Sequence, residues 1–238
     1  MDIEGSVALV TGANRGIGRH FAAQLLERGA SKVYATARHP DTMTVAGADV
    51  LRLDVTDPRS VAEAAAVAQD VSILINNAGV LTFTNLLTGD LAAIHREMDT
   101  HFFGTLSMVR AFAPVLAANG GGVILNMLSS LSWLAADGVN SYAAAKAAAW
   151  SLTNGIRLEL ASQRTTVTGL HVGSVDTDMN AGSGYDGPKS NPADVAAAGL
   201  DAIQLGSLEV VIDDGSREIK ASLAADPVVT YADALRMI

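Results

Sequence analysis

Three features of this sequence predict a single-domain, Rossmann-type α/β fold: a doubly wound, mostly parallel sheet with helices on both faces. Short apolar runs alternate with longer segments of helical period along the whole chain. The runs are apolar at nearly every position, as strands are when both faces of a sheet are covered. A glycine-rich turn follows the first run and opens a helical segment.

The elements follow in order. VALVT (7–11) reads as the first strand and 19–29 as the first helix. KVYAT (32–36) and VLRLD (50–54) give the next two strands, with a helix over 58–68 after the second of them. VSILIN (71–76) precedes a long helix over 91–117, and GVILNML (122–128) precedes another over 140–163. TVTGLHV (166–172), a helix over 192–205 and EVVID (209–213) complete the alternation. The stretch NAGSGYDGPKSNP (180–192) has no period and is expected to be a mobile loop.

One domain over 1–238 accounts for the length. Hydrophobic residues make up 49% and charged residues 17%, a balance that suits a large buried core. The net charge of −9 argues against a nucleic-acid footprint and against attachment to anionic lipid, leaving a small molecule as the expected partner. With no cysteine there is no disulfide or thiolate site, and the five histidines show no paired metal-ligand spacing, so no metal is expected. The start carries acidic residues where a signal peptide needs positive ones, and no apolar run reaches membrane-spanning length. The expected compartment is the cytoplasm.

The turn TGANRGIG places Gly12, Gly16 and Gly18, with Asn14, Arg15 and Ile17 between them, where strand gives way to helix. Glycines there let the backbone approach a pyrophosphate that the helix N-terminus then holds. An acidic residue about 20 positions further on would select a free ribose 2′-hydroxyl. Arg38 occupies that place instead, and Arg15 adds a second cation, so the nucleotide expected is NADP(H).

SYAAAKAAAW (141–150) sets Tyr142 and Lys146 one helical turn apart. An ammonium beside a phenol favours the phenolate, a way to bring a tyrosine toward working pH. Taken alone, the spacing is met more often as a surface tyrosine beside a solvated lysine, a common pair on ordinary helices.

Taken with NNAG (76–79), the glycine turn and the Tyr142/Lys146 pair resemble the short-chain dehydrogenase/reductase family over nearly the whole chain. The resemblance implies that Ser129, thirteen residues before the tyrosine, completes the active site. Tyr142 would protonate a substrate carbonyl, Ser129 would hydrogen-bond the same oxygen, and Lys146 would lower the tyrosine pKa and hold the nicotinamide ribose. It further implies cofactor contacts from Asn77, Ala78 and Gly79, an adenine contact at Asp54 and Val55, and a sheet-stabilising role for Asn76. HVGSVDTDM (171–179) fills the place of the family's P-G-x-V-x-T, so Gly173, Val175 and Thr177 would meet the nicotinamide.

Two residues depart from the family pattern. Val172 replaces its proline, and His101 stands where it has asparagine in N-x-x-G, a residue that relays protons outward. Histidine also donates and accepts, so His101 either replaces that relay or impairs it. Leu81, Phe103, Trp133, Met179 and Tyr185 are expected to line the substrate pocket, whose apolar character favours a hydrophobic ketone or aldehyde. In the family the helices holding 91–117 and 140–163 often pair between subunits, which implies a homodimer or homotetramer; apolar residues in 226–238 are further contact candidates. The expected activity is NADPH-dependent carbonyl reduction. The alternatives are reduction of carrier-bound 3-oxoacyl groups and a non-catalytic NADP(H)-binding regulator.

Overall fold

The computed structural model describes residues 1–232. Seven parallel strands run β1 (Val7–Thr11), β2 (Lys32–Ala37), β3 (Asp49–Arg52), β4 (Ile73–Asn76), β5 (Gly122–Met127), β6 (Thr165–His171) and β7 (Glu209–Val211). Their order in the sheet is β3-β2-β1-β4-β5-β6-β7. The winding reverses between β1 and β4, and at such a switch point a crevice opens beyond the carboxyl ends of the strands.

The connecting helices are α1 (Gly16–Glu27), α2 (Pro58–Val67), α3 (Leu91–Met98), α4 (Thr105–Ala118), α5 (Asn140–Glu159), α6 (Pro192–Leu205), α7 (Asp214–Ala221) and α8 (Pro227–Thr230). Alternation along the strands divides the core in two. Ala8, Val10, Ile73 and Ile75 face α1 and α6, whose Phe21, Leu25, Leu200 and Ile203 are buried against them. Leu9, Leu74 and Ile124 face the opposite layer, where Val61 of α2, Met108, Phe112 and Leu116 of α4 and Ile156 of α5 close the second core.

The observed boundaries depart from the expected ones where local chemistry intervenes. The helix expected over 91–117 is split by a π-helical turn, Asp99–Gly104, an irregularity that often marks a functional site. The helix expected to continue to 163 stops at Glu159, and a 3-10 turn covers Ala161–Gln163. α7 was not anticipated. Its signal was Asp213, whose carboxylate accepts the Ser216 amide at 2.8 Å as an N-cap. The loop over 180–192 is fastened at its base, where Ser190 pairs with the 174–176 backbone and a bridge joins Val175 to Ser190.

The continuous helical stretch Leu91–Ala118 is long and apolar enough, by length and composition, to cross a membrane, against the expectation that no segment reaches that threshold. Counting uninterrupted apolar runs missed it because isolated charges, such as Arg96 and Arg110, punctuate it. Its Met108, Phe112 and Leu116 side chains are spent on the core instead. Of the C-terminal contact candidates, Val228 and Val229 are exposed, whereas 233–238 lie outside the described residues.

Candidate active site

A cleft of about 1310 Å³ lies at the carboxyl ends of the strands. Every cofactor residue expected from the sequence borders it except Gly18. At one end is the turn after β1, where Gly12 and Gly16 adopt φ of +67° and +53°, a left-handed conformation that glycine takes without strain. A Cβ on Gly12 would stand 3.1 Å from the Ala78 backbone. Thr11 braces the two sides of this trough, its hydroxyl accepting the Asn77 and Ala78 amides at 2.9 Å, while the Asn77 side chain donates back to the Thr11 and Gly12 carbonyls. Asn14 is held by Thr42 at 3.1 Å. This glycine-lined trough at the start of α1 fits a dinucleotide pyrophosphate.

Gly18 supports the trough from behind. A Cβ there would lie 2.2 Å from the Gly12 carbonyl oxygen and 2.4 Å from Asn77 Nδ2, both fixed groups. Gly18→Ala is expected to destabilise the fold by about 1–3 kcal/mol, the usual cost of overpacking. Urea melts check this, and a midpoint equal to that of the parent would contradict it.

The two arginines do not stand free of carboxylates. Arg15 pairs with Asp178 at 3.5 Å, and Arg38 acts on Asp54 through its charge. The Arg15–Asp178 pair is largely solvent-exposed and therefore weak, so Arg15 remains available to an anionic ligand. Burial pushes the Asp54 carboxyl up, but hydrogen bonds from Thr56 and the charges of Arg38 and Arg52 leave it below its ordinary range.

At the other end, Ser129, Tyr142, Lys146 and His101 converge. Ser129 follows β5 and starts a 3-10 turn, Ser130–Ser132, in which its hydroxyl accepts the Leu131 amide at 3.1 Å and its own amide donates to the Ser132 hydroxyl at 3.3 Å. His171 Nδ1 backs the Ser129 carbonyl at 3.1 Å. Ser132 thus serves to hold Ser129. Asn76 donates to Asn126 at 2.8 Å, which donates to Thr153 on α5 at 2.9 Å, so the hydrogen bonds link β4, β5 and α5.

The tyrosine–lysine pair departs from expectation. Lys146 is buried; its Nζ donates to the Met127 carbonyl at 2.8 Å and lies over the Tyr142 ring, 5.6 Å from the centroid. Burial lowers the lysine to about 7 rather than leaving it always cationic. Burial likewise raises the phenol above its ordinary value, against a hydrogen bond from Ser129 that pulls it down, and the charge of Glu97 adds to the rise. Among the described residues Nζ makes no hydrogen bond to the Tyr142 hydroxyl, and the phenol stands above rather than below its ordinary value.

His101 lies within the π-helical turn, edge-on to Tyr142 with ring centroids 5.1 Å apart. Its Nε2 lies 2.7 Å from the Val80 carbonyl and 3.3 Å from the Val80 amide, so the ring is held against the backbone of that residue. Burial and the charge of Lys146 hold it well below its ordinary pKa, so the ring is neutral.

Of the five pocket candidates, Leu81, Met179 and Tyr185 border the cleft. Phe103 does not. Residues two apart on a helix point in nearly opposite directions, so with His101 turned inward Phe103 faces out, 55% exposed, beside Leu106 and Val61. Trp133 is also misplaced: the 3-10 turn carries it behind Ser129, where it stacks on His171 at 3.9 Å and meets Trp150 edge-on. Asp213 was missed by the sequence reading. Its carboxylate accepts the Gly173 amide at 2.8 Å, pinning the loop after β6.

Residues 6–186 match the family model described as short chain dehydrogenase. A short chain dehydrogenase from Burkholderia cenocepacia, solved in complex with NADP, superposes with a TM-score of 0.92 and 40% identity over 98% of both chains. An uncharacterized oxidoreductase of Staphylococcus saprophyticus is 29% identical over 86% of this chain and 93% of its own length. A 3-oxoacyl-[acyl-carrier-protein] reductase of Vibrio harveyi is 30% identical over 84% and 86% respectively.

Proposed function

Since this chain belongs to the short-chain dehydrogenase family, we propose that it is an NADP(H)-dependent oxidoreductase that reduces hydrophobic ketones or aldehydes to alcohols. The observation that carries the reading is convergence: one cleft joins a glycine trough flanked by Arg15 and Arg38 to a cluster of Ser129, Tyr142 and Lys146. The Burkholderia neighbour with NADP supports the choice of nucleotide. Bound reduced nicotinamide would supply a hydride to the carbonyl carbon.

The chain's own residues do the rest. Asn77, Ala78 and Gly79 wall the adenosine side, with Asp54 and Val55 at the adenine, while Gly173, Val175 and Thr177 hold the nicotinamide side. Tyr142 donates its proton to the carbonyl oxygen as negative charge develops there. Ser129 donates a hydrogen bond to the same oxygen and stabilises that charge. Lys146 holds the ribose hydroxyls, and neutral His101 takes the place of the relay asparagine. Leu81 and Met179 supply apolar wall and Tyr185 the rim, which supports a hydrophobic substrate. The exposed Phe103 on the outer face supports a homodimer or homotetramer, which sedimentation reads directly.

The testing experiment follows loss of reduced nicotinamide absorbance with acetophenone, benzaldehyde and 2,3-butanedione. With NADPH the kcat/KM is expected to exceed that with NADH by about tenfold or more, and Arg38→Leu to remove most of that preference, since one charge-assisted contact contributes roughly 1.5–3 kcal/mol. A preference for NADH would sink the cofactor assignment. The Vibrio relative supports a second reading, reduction of a carrier-bound 3-oxoacyl group. Turnover of a 3-oxoacyl carrier thioester far above that of all three small carbonyls would favour it.

A further inference from the structure

Glu97 is a carboxylate with no solvent exposure, and beyond its charge acting on Tyr142 it has no part in the chemistry above. Among the described residues no cation pairs with it. Removing a carboxylate from water costs several kcal/mol unless hydrogen bonds replace the lost hydration, and a leucine of similar size would avoid that cost. The donors it has found are therefore informative. Oε1 accepts the Thr82 amide at 2.7 Å and the Thr82 hydroxyl at 2.8 Å. Oε2 meets the hydroxyl of Ser141, the residue before Tyr142. Ser141 in turn reaches back to the same loop, its amide and hydroxyl lying 3.1 and 2.9 Å from the Thr84 carbonyl.

One turn further along the same helical stretch, His101 repeats the pattern, contacting Val80 of the loop on one side and Tyr142 of α5 on the other. Two side chains four residues apart thus join the loop after β4, which carries the cleft residue Leu81, to the first turn of the catalytic helix. The π-helical turn, Asp99–Gly104, begins between them.

We propose that Glu97 is a positioning residue that, through Thr82 and Ser141, fixes the substrate-side loop against α5 and so sets the orientation of Tyr142 toward the substrate carbonyl. The inference rests on the reading of Tyr142 as proton donor. It assigns Glu97 no contact with substrate or cofactor. Its expected signature is on kcat rather than on binding of the nucleotide, whose trough lies at the other end of the cleft.

The test compares Glu97→Leu, Glu97→Gln and Ser141→Ala in the full chain, with Tyr142→Phe alongside, using benzaldehyde and NADPH. Glu97→Leu is expected to lower kcat by about 100-fold, the scale of a small misplacement of a reacting group, with NADPH affinity by fluorescence titration unchanged. Glu97→Gln is expected to stay within about threefold, because its carbonyl still accepts from Thr82 and its amide donates to the Ser141 oxygen. Ser141→Ala, which removes only the link to the helix, is expected to lose about tenfold in kcat. Parent-like kcat in Glu97→Leu overturns the proposal, as does a glutamine variant as impaired as the leucine one. Should Glu97→Leu not fold, Ser141→Ala decides alone, and an unchanged kcat there overturns it. Full activity in Tyr142→Phe would sink the proton-donor reading and this inference with it, whereas an inactive Tyr142→Phe beside an unimpaired Glu97→Leu sinks the inference alone.

Discussion

Tyr142→Phe is expected to lower the turnover of carbonyl reduction by about 10²–10⁴-fold, the range typical of a lost general acid, while NADPH still binds. Phenylalanine keeps the ring that packs edge-on against His101 and beneath the Lys146 ammonium, so the change removes a proton and little else. Burial holds the phenol above its ordinary pKa, which keeps it protonated through neutral pH and poised to donate. Reduction by the parent protein should therefore hold its rate as pH rises through 7 to 9. Oxidation of an alcohol needs the phenolate as base and should accelerate over the same range. A phenylalanine variant that retains parent-like turnover would mean that the protein binds nucleotide without using this chemistry, the regulator reading. Steady-state rates in both directions, with NADPH affinity measured separately, distinguish the outcomes.

The fold was legible because its signals are local and repeated. Seven apolar runs and the glycine turn each carry their own period or conformation, whereas the order β3-β2-β1-β4-β5-β6-β7 is visible only in the structure. The grouping of Ser129, Tyr142 and Lys146 at one cleft was legible through spacing. What failed was direction. Trp133 was judged by its nearness in sequence to Ser129, yet the 3-10 turn after Ser129 rotates it to the far side. Phe103 was judged by its nearness to His101, and helix geometry puts it on the opposite face. The pairing of Lys146 with the tyrosine hydroxyl was inferred from a four-residue interval. That interval fixes which face a side chain leaves from, but not the carbonyl, here that of Met127 on β5, toward which a long flexible stem then bends. Glu97 gave no sequence signal at all. An isolated glutamate in an otherwise ordinary helix reads as a surface charge, and only the fold reveals that Thr82 and Ser141 surround it.

Lys146→Met should separate the cost of this site from its use. In the folded protein burial takes the lysine from 10.5 down to about 7, whereas in the unfolded chain it keeps its ordinary value. Between those two values the unfolded state binds more protons, so stability rises with pH through that window. The contribution is complete above 10.5 and is lost as pH falls toward 7, where the native protein must carry a buried ammonium. Methionine fills the same space without a charge. The variant is therefore expected to exceed the parent in stability at pH 6, by an amount on the order of a few kcal/mol, and to lose that advantage as pH approaches 10. Its turnover is expected to fall as well, because the side chain proposed to hold the ribose hydroxyls is gone. Urea melts of both proteins at pH 6, 8 and 10 measure the stability difference. A difference that is the same at all three would show that the lysine keeps its ordinary pKa in the fold. A variant that is both more stable at low pH and inactive would identify Lys146 as a charge the fold tolerates at a loss, held where the reaction requires it.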